Sequence, residues 1–203
     1  MAEKEIIINA NLLYDGRTKT CDMSIVVQDN KIVEVSSRKY KSSISGIVTP
    51  AFIDPHSHIG MERQGEPVGE SEVDDILTPF SPLHDPVNSI YFDDRAFSEA
   101  VDFGVLYSCV LPGSVNIMGG QAKVIRNFAA NRKSAVVREC GLKMALGYNP
   151  RAATAWKGAR PTTRMGTATL LEKYFQEILR KEEQATIKKE TAVLSLSQGE
   201  NGG

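Results

Sequence analysis

Two of the three histidines in this chain, His56 and His58, stand two residues apart. They end the run Ile47-Val48-Thr49-Pro50-Ala51-Phe52-Ile53-Asp54-Pro55-His56-Ser57-His58, rich in apolar and β-branched residues. Side chains of an extended strand alternate faces with period two. His56 and His58 therefore point the same way, and Asp54 points with them. Two neutral imidazoles converging from one side suit a divalent metal of the zinc type. The bare H-x-H spacing also fits two ordinary polar residues on a solvated strand end. The third histidine, His84, stands beside Asp85 and reads as a loop residue rather than a ligand.

The surrounding elements must position that pair. Glu5 to Leu13 is β-rich, Asp15-Gly16 and Asp29-Asn30 are turn signals, and Lys31 to Val35 alternates apolar and polar residues. This predicts a small antiparallel meander before the histidine strand. Residues 60–93 carry Gly65, Pro67, Gly69, Pro79, Pro82 and Pro86 with little periodicity. Irregular stretches of that length are functional or disordered.

Asp93 or Asp94 can cap a helix running to Phe103, stopped by Gly104, and Val105 to Leu111 reads as a buried strand. Pro112 to Gly120 is glycine-rich, Gln121 to Asn131 reads as a helix, and Ala135 to Val137 and Leu142 to Leu146 as strands. A loop with Arg151, Trp156, Lys157, Arg160 and Arg164 follows; its basic residues could meet a substrate carboxylate or simply be solvated. The apolar residues Leu171, Tyr174, Phe175, Ile178 and Leu179 form one stripe on a helix expected from Thr167 to Glu190. Strand, helix, strand from residue 51 onward predicts three βα units on a parallel sheet, with strands near 51–56, 105–111 and 142–147.

The Gly113–Gly120 segment is neither a dinucleotide fingerprint nor a Walker loop. Leading into a helix N-terminus, it would favour an anionic or carbonyl group; a tight turn is the plainer alternative.

Bulk composition narrows the function classes. The chain has 203 residues, 41% hydrophobic and 24% charged, with a net charge of −1, in the range of a soluble globular protein. A near-zero charge gives no case for nucleic acid or an anionic membrane. No apolar stretch is long enough to span a bilayer, and the acidic N-terminus does not read as a signal peptide. Cys21, Cys109 and Cys140, odd in number and widely spaced, fit buried structural thiols in a reduced, cytoplasmic protein.

The run Thr49 to His58, preceded by a small β-rich region, resembles the strand-1 signature of the amidohydrolase superfamily, aliphatic-Ile-Asp-x-His-x-His. Leu111 to Gln121 is similar to a glycine-rich loop of its imidazolonepropionase-like branch. The resemblance implies an α/β fold. A small β-rich, sandwich-like domain (1–48) would precede a partial (β/α)8 TIM barrel of about three βα units (49–192), with a disordered tail (193–203). It implies a metal-dependent hydrolase acting on C–N bonds in non-peptide or cyclic amides through metal-activated water. His56 and His58 would be ligands to a divalent metal, zinc by expectation. Asp54 would support them by orienting an imidazole. Gly119, Gly120 and Gln121 would touch a small-molecule substrate.

The remaining ligands of such enzymes, and the general base, come from later barrel strands, so no catalytic residue is identifiable here. On this reading the chain is a truncated product, a split-gene half or an incomplete sequence, and inactive alone. The alternative is a non-catalytic remnant acting as a partner-dependent module. An unpaired edge at the third strand would favour homo-oligomerisation or capture of a missing C-terminal half.

Overall fold

Asp29 and Asn30 both adopt positive φ, 48° and 63°, the backbone of a tight two-residue hairpin. In the computed structural model, which describes residues 5–63, 65–152 and 160–199, that hairpin joins β2 (Lys19–Gln28) to β3 (Lys31–Ser36). Strand β1 (Glu5–Tyr14) pairs antiparallel with β2. The turn between them is closed by the Asp15 carboxylate, which accepts from the Arg17 and Thr18 N–H groups at 2.8 Å each. The expected meander is therefore present. A fourth strand, β4 (Ile44–Val48), adds parallel to β1, giving the order β3-β2-β1-β4. Ala10, Ser24, Ile25 and Val26 are its buried residues. The chain divides into two units, Met1–Phe52 and Ile53–Gly203.

The second unit is built on four strands in the order β5-β6-β7-β8: β5 (Phe52–Ser57), β6 (Val105–Val110), β7 (Met118–Arg126) and β8 (Val136–Met144). Helix α1 (Arg95–Asp102) starts where the Asp94 carboxylate accepts the Ala96 N–H, and ends at Phe103-Gly104. Both ends and the following strand fall where the sequence signals put them. Met61, Val87, Ile90, Phe97, Val110, Ile125 and Ala135 form the core of this unit. Gly60 is obligatory there. Its φ is +77°, and a Cβ would stand 2.7 Å from the Phe97 ring.

Three expectations are corrected. The helix expected from Gln121 to Asn131 is instead mostly strand β7, which pairs antiparallel with β6 and with β8. A central strand gains ladder hydrogen bonds on both edges, and the β-branched Val124 and Ile125 suit a pleated surface. Consequently β6, β7 and β8 form an antiparallel array, not three parallel βα units. The two short strands expected at 135–137 and 142–146 merge into β8. A four-residue helix, α2 (Arg132–Ala135), fits into the β7–β8 connection. Finally, α3 (Arg164–Gly199) runs into the segment expected to be a disordered tail; residues 200–203 lie outside the described residues. Its stripe is only partly covered. Leu171 and Tyr174 are half-buried, and Tyr174 stacks on Phe80 with ring centroids 4.4 Å apart, while Phe175, Ile178 and Leu179 are exposed.

The irregular stretch from Gly60 to Asp93 is ordered by the backbone it crosses. Glu72 N–H donates to Met61 O, and Tyr91 N–H to Gly60 O. Met118 N–H donates to Pro79 O, and Ser81 N–H to Met118 O. The Asn116 amide donates to Asp75 O and Thr78 O. These bonds satisfy polar groups that would otherwise be buried unpaired.

Candidate functional site

His56 lies in β5 and His58 immediately after it. Their ring centroids are 5.5 Å apart and nearly perpendicular, at 81°, so both rings project from one side, as the alternation requires. The Asp54 carboxylate accepts the main-chain N–H of His56 at 3.0 Å, tying down the strand backbone rather than a ring. His58 is fixed from the neighbouring strand. Its Nδ1 lies 2.8 Å from the carbonyl oxygen of Leu111, just past β6, while Leu111 N–H donates to Ser57 O. A carbonyl only accepts, so Nδ1 carries a proton, and it is Nε2 that a neutral ring would offer to a ligand. This is how a ligand imidazole is ordinarily oriented.

Partial burial, followed by the charges of Lys143 and His58, holds His56 below the ordinary imidazole range, against an opposing pull from Asp54. That direction favours the neutral ring, the form that binds a metal. Lys143, on β8, is itself held below the usual ammonium range by burial, with Asp74 opposing.

The glycine-rich segment is placed differently from expectation. It leads into strand β7, not a helix, so no helix N-terminus faces a ligand there. Gly119 and Gly120 are buried, and Gln121 N–H donates to His84 O at 2.8 Å. A Cβ on Gly120 would meet that carbonyl oxygen at 2.6 Å, and its φ is +140°. Close approach of two backbones explains this glycine. Gly119 does border a cavity of about 530 Å³, with Glu72, Asp74, Asp75, His84 and Asp85 on its walls. His84 Nε2 stands 3.7 Å from the Asp75 carboxylate.

Of the basic loop, Arg151 donates to Gly147 O and Arg160 to Arg151 O and Ala152 O. Arg164 opens α3 and is exposed. Trp156 and Lys157 lie outside the described residues. The thiols depart from the expectation of burial: Cys21 and Cys140 are exposed and Cys109 is half-buried.

Sequence reasoning missed two groups that act on the histidines, the Leu111 carbonyl and Lys143. Neither carries a local signal, since one is a main-chain atom and the other an unremarkable strand lysine. The donor chemistry, two neutral imidazoles from one side, fits a corner of a zinc-type coordination sphere. Among the described residues no group of three or more His, Cys, Asp or Glu side chains could hold a metal.

An α/β chain with two strand sheets and an oriented imidazole pair is the class that fold and site define. No protein-family model matches the chain. Amidohydrolase tasK from Hapsidospora irregularis is 23% identical over 141 residues, covering 64% of this chain and 14% of tasK. The crystal structure of an amidohydrolase from Thermotoga maritima matches with a TM-score of 0.76 and 26% identity, covering 90% of this chain and 49% of that one. The chain is thus related to the amidohydrolase superfamily. It spans about half the length of the Thermotoga protein and a small fraction of tasK. Among the described residues no helix is long and apolar enough to cross a membrane.

Proposed function

We propose that this chain carries the opening, ligand-bearing portion of a metal-dependent hydrolase acting on C–N bonds in small non-peptide or cyclic amides. One observation carries the reading: two imidazoles share one side of β5, one of them held through Nδ1 by a strand-end carbonyl, in a chain related to amidohydrolases. A divalent ion, zinc by preference, would be held by His56 and His58 and would supply Lewis-acid chemistry. Asp54 would stiffen the strand beneath them. Gly119, at the cavity wall, would lie beside the substrate, with Gly120 and Gln121 shaping that wall.

The finer fold reading, a small sheet followed by a partial (β/α)8 barrel, is supported by the Thermotoga likeness and by the succession β5, α1, β6. It places β5 as the first barrel strand and β7 as an addition to the barrel plan. A cytoplasmic setting is supported by three free thiols.

A second reading has its own support. With no third ligand among the described residues, the chain would serve as a non-catalytic module that depends on a partner, a second copy or a complementary segment.

The metal reading is tested by titrating the purified chain with cobalt(II) and following its visible absorption. Weak binding is expected, lost in both His56→Ala and His58→Ala, because two protein ligands leave most of the coordination to water. Equal binding by the double variant would overturn it.

A further inference from the structure

Cys109 and Cys140 are 31 residues apart in the chain, yet their Sγ atoms are 3.0 Å apart. Both are free thiols. Strands two places apart in a flat sheet are separated by roughly 9–10 Å, so sulfurs on β6 and β8 meet only where the sheet is strongly coiled. The registers locate the distortion. Cys109 faces Val124 across β6 and β7. Across β7 and β8, Ala122 faces Gly141 while the next residue, Lys123, faces Glu139. Cys140 is therefore the extra residue of a bulge, which bends its strand and sharpens the local twist. The two sulfurs stand about 1 Å beyond disulfide bonding distance, and one of them is exposed.

We propose that Cys109 and Cys140 form a reversible dithiol–disulfide pair that exchanges with low-molecular-weight disulfides of the glutathione type. Cys140, the exposed thiol, enters first. Its thiolate attacks one sulfur of the reagent, forming a mixed disulfide and releasing one reagent thiolate. Cys109, as thiolate, then attacks Cys140 Sγ, forming the protein S–S bond and releasing the second reagent thiolate. The protein sulfurs lose two electrons and two protons, and the reagent disulfide becomes two thiols. Burial, then the neighbouring Cys140 and Asp54, push the Cys109 thiol up to about 11, which makes it a poor entering nucleophile; the part of that push due to free Cys140 is removed once Cys140 is held in the mixed disulfide.

The bond would join the two strands that act on the histidines. Cys109 precedes by two residues Leu111, whose carbonyl holds His58. Cys140 precedes by three residues Lys143, whose charge acts on His56. Oxidation would fix both groups at once. The pairing itself stands whether or not the site binds metal.

The test uses the full chain carrying Cys21→Ser, equilibrated with reduced and oxidised glutathione at set ratios, quenched by alkylation and read by intact mass and peptide mapping. Loss of the mass of two hydrogens, with a Cys109–Cys140 cross-linked peptide reversed by reductant, is expected. Adding Cys109→Ser should instead leave a stable glutathione adduct on Cys140. Closing this loop should raise the thermal midpoint of the oxidised form by on the order of 10 °C. A persistent adduct on Cys140 with Cys109 still alkylatable in the Cys21→Ser chain would overturn the proposal. So would a cross-link formed only between molecules. Both readouts come from the Cys21→Ser chain itself, so a poorly folded Cys109→Ser variant does not blunt them.

Discussion

Asp85 shows how much one side chain holds in this molecule. Its carboxylate accepts from Lys123 Nζ at 2.7 Å, from Arg132 at 2.8 Å and from the Val87 N–H at 3.1 Å. The Lys123 and Asp85 side chains are only 11% and 15% exposed. Burial alone would push the Asp85 carboxyl up, but the hydrogen bonds from Lys123 and Val87 and the charges of Lys123 and Arg132 outweigh it, and it rests below the usual carboxylate range. Asp85→Ala strands the Lys123 ammonium in an enclosed setting, with only a long 3.6 Å approach to Glu139 left to it. The expected cost is about 2–4 kcal/mol, measured by urea unfolding. A folded-state pKa below the unfolded one gives stability that is present above the unfolded value and lost as pH falls through the folded value. Stability should therefore decline as pH falls below about 5, and Asp85→Asn should flatten part of that decline.

At the scale of elements, the β7 strand and the irregular stretch crossing it form one structure. Gly120 sits where the His84 backbone presses on the strand, so a side chain there meets both a forbidden φ and an occupied space. Gly120→Ala is expected to cost about 2–4 kcal/mol. Gly141, which has nothing within 4 Å of an added Cβ, is the control, and Gly141→Ala should cost less than half as much in the same denaturant titration. The α3 helix is held mainly through its first turns, where Thr167 is buried and Tyr174 stacks on Phe80. Beyond them Ile178, Leu179 and Ile187 are exposed, and exposed ion pairs such as Lys181 with Glu177 add little.

For the whole molecule, what matters most is how few candidate ligands gather at the end of β5. The His56 and His58 rings lie close together at the end of β5, His58 held by the Leu111 carbonyl, and among the described residues no group of three or more His, Cys, Asp or Glu could hold a metal. Under the proposed function two protein ligands leave a metal mostly to water, and the isolated chain is expected to show no turnover of amide or imidazolone substrates, even with added zinc. A spectrophotometric hydrolysis assay measures this, and robust turnover abolished by His56→Ala would contradict it.

The sequence by itself determined whatever depends on a few neighbouring residues. The Asp29-Asn30 hairpin, the Asp94 cap and Gly104 stop of α1, and the projection of His56 and His58 from one side all follow from local backbone preference and the period of an extended chain. Only the tertiary structure decided the rest. Gln121 to Arg126 is strand because partners in β6 and β8, 11 to 21 residues away, outbid a helical preference worth less than about 1 kcal/mol per residue. The Leu111 carbonyl on His58, the Asp85–Lys123 pair and the meeting of Cys109 with Cys140 each join residues at least 31 positions apart. Such contacts are set by how strands bend and register against one another, and no window of sequence contains both partners.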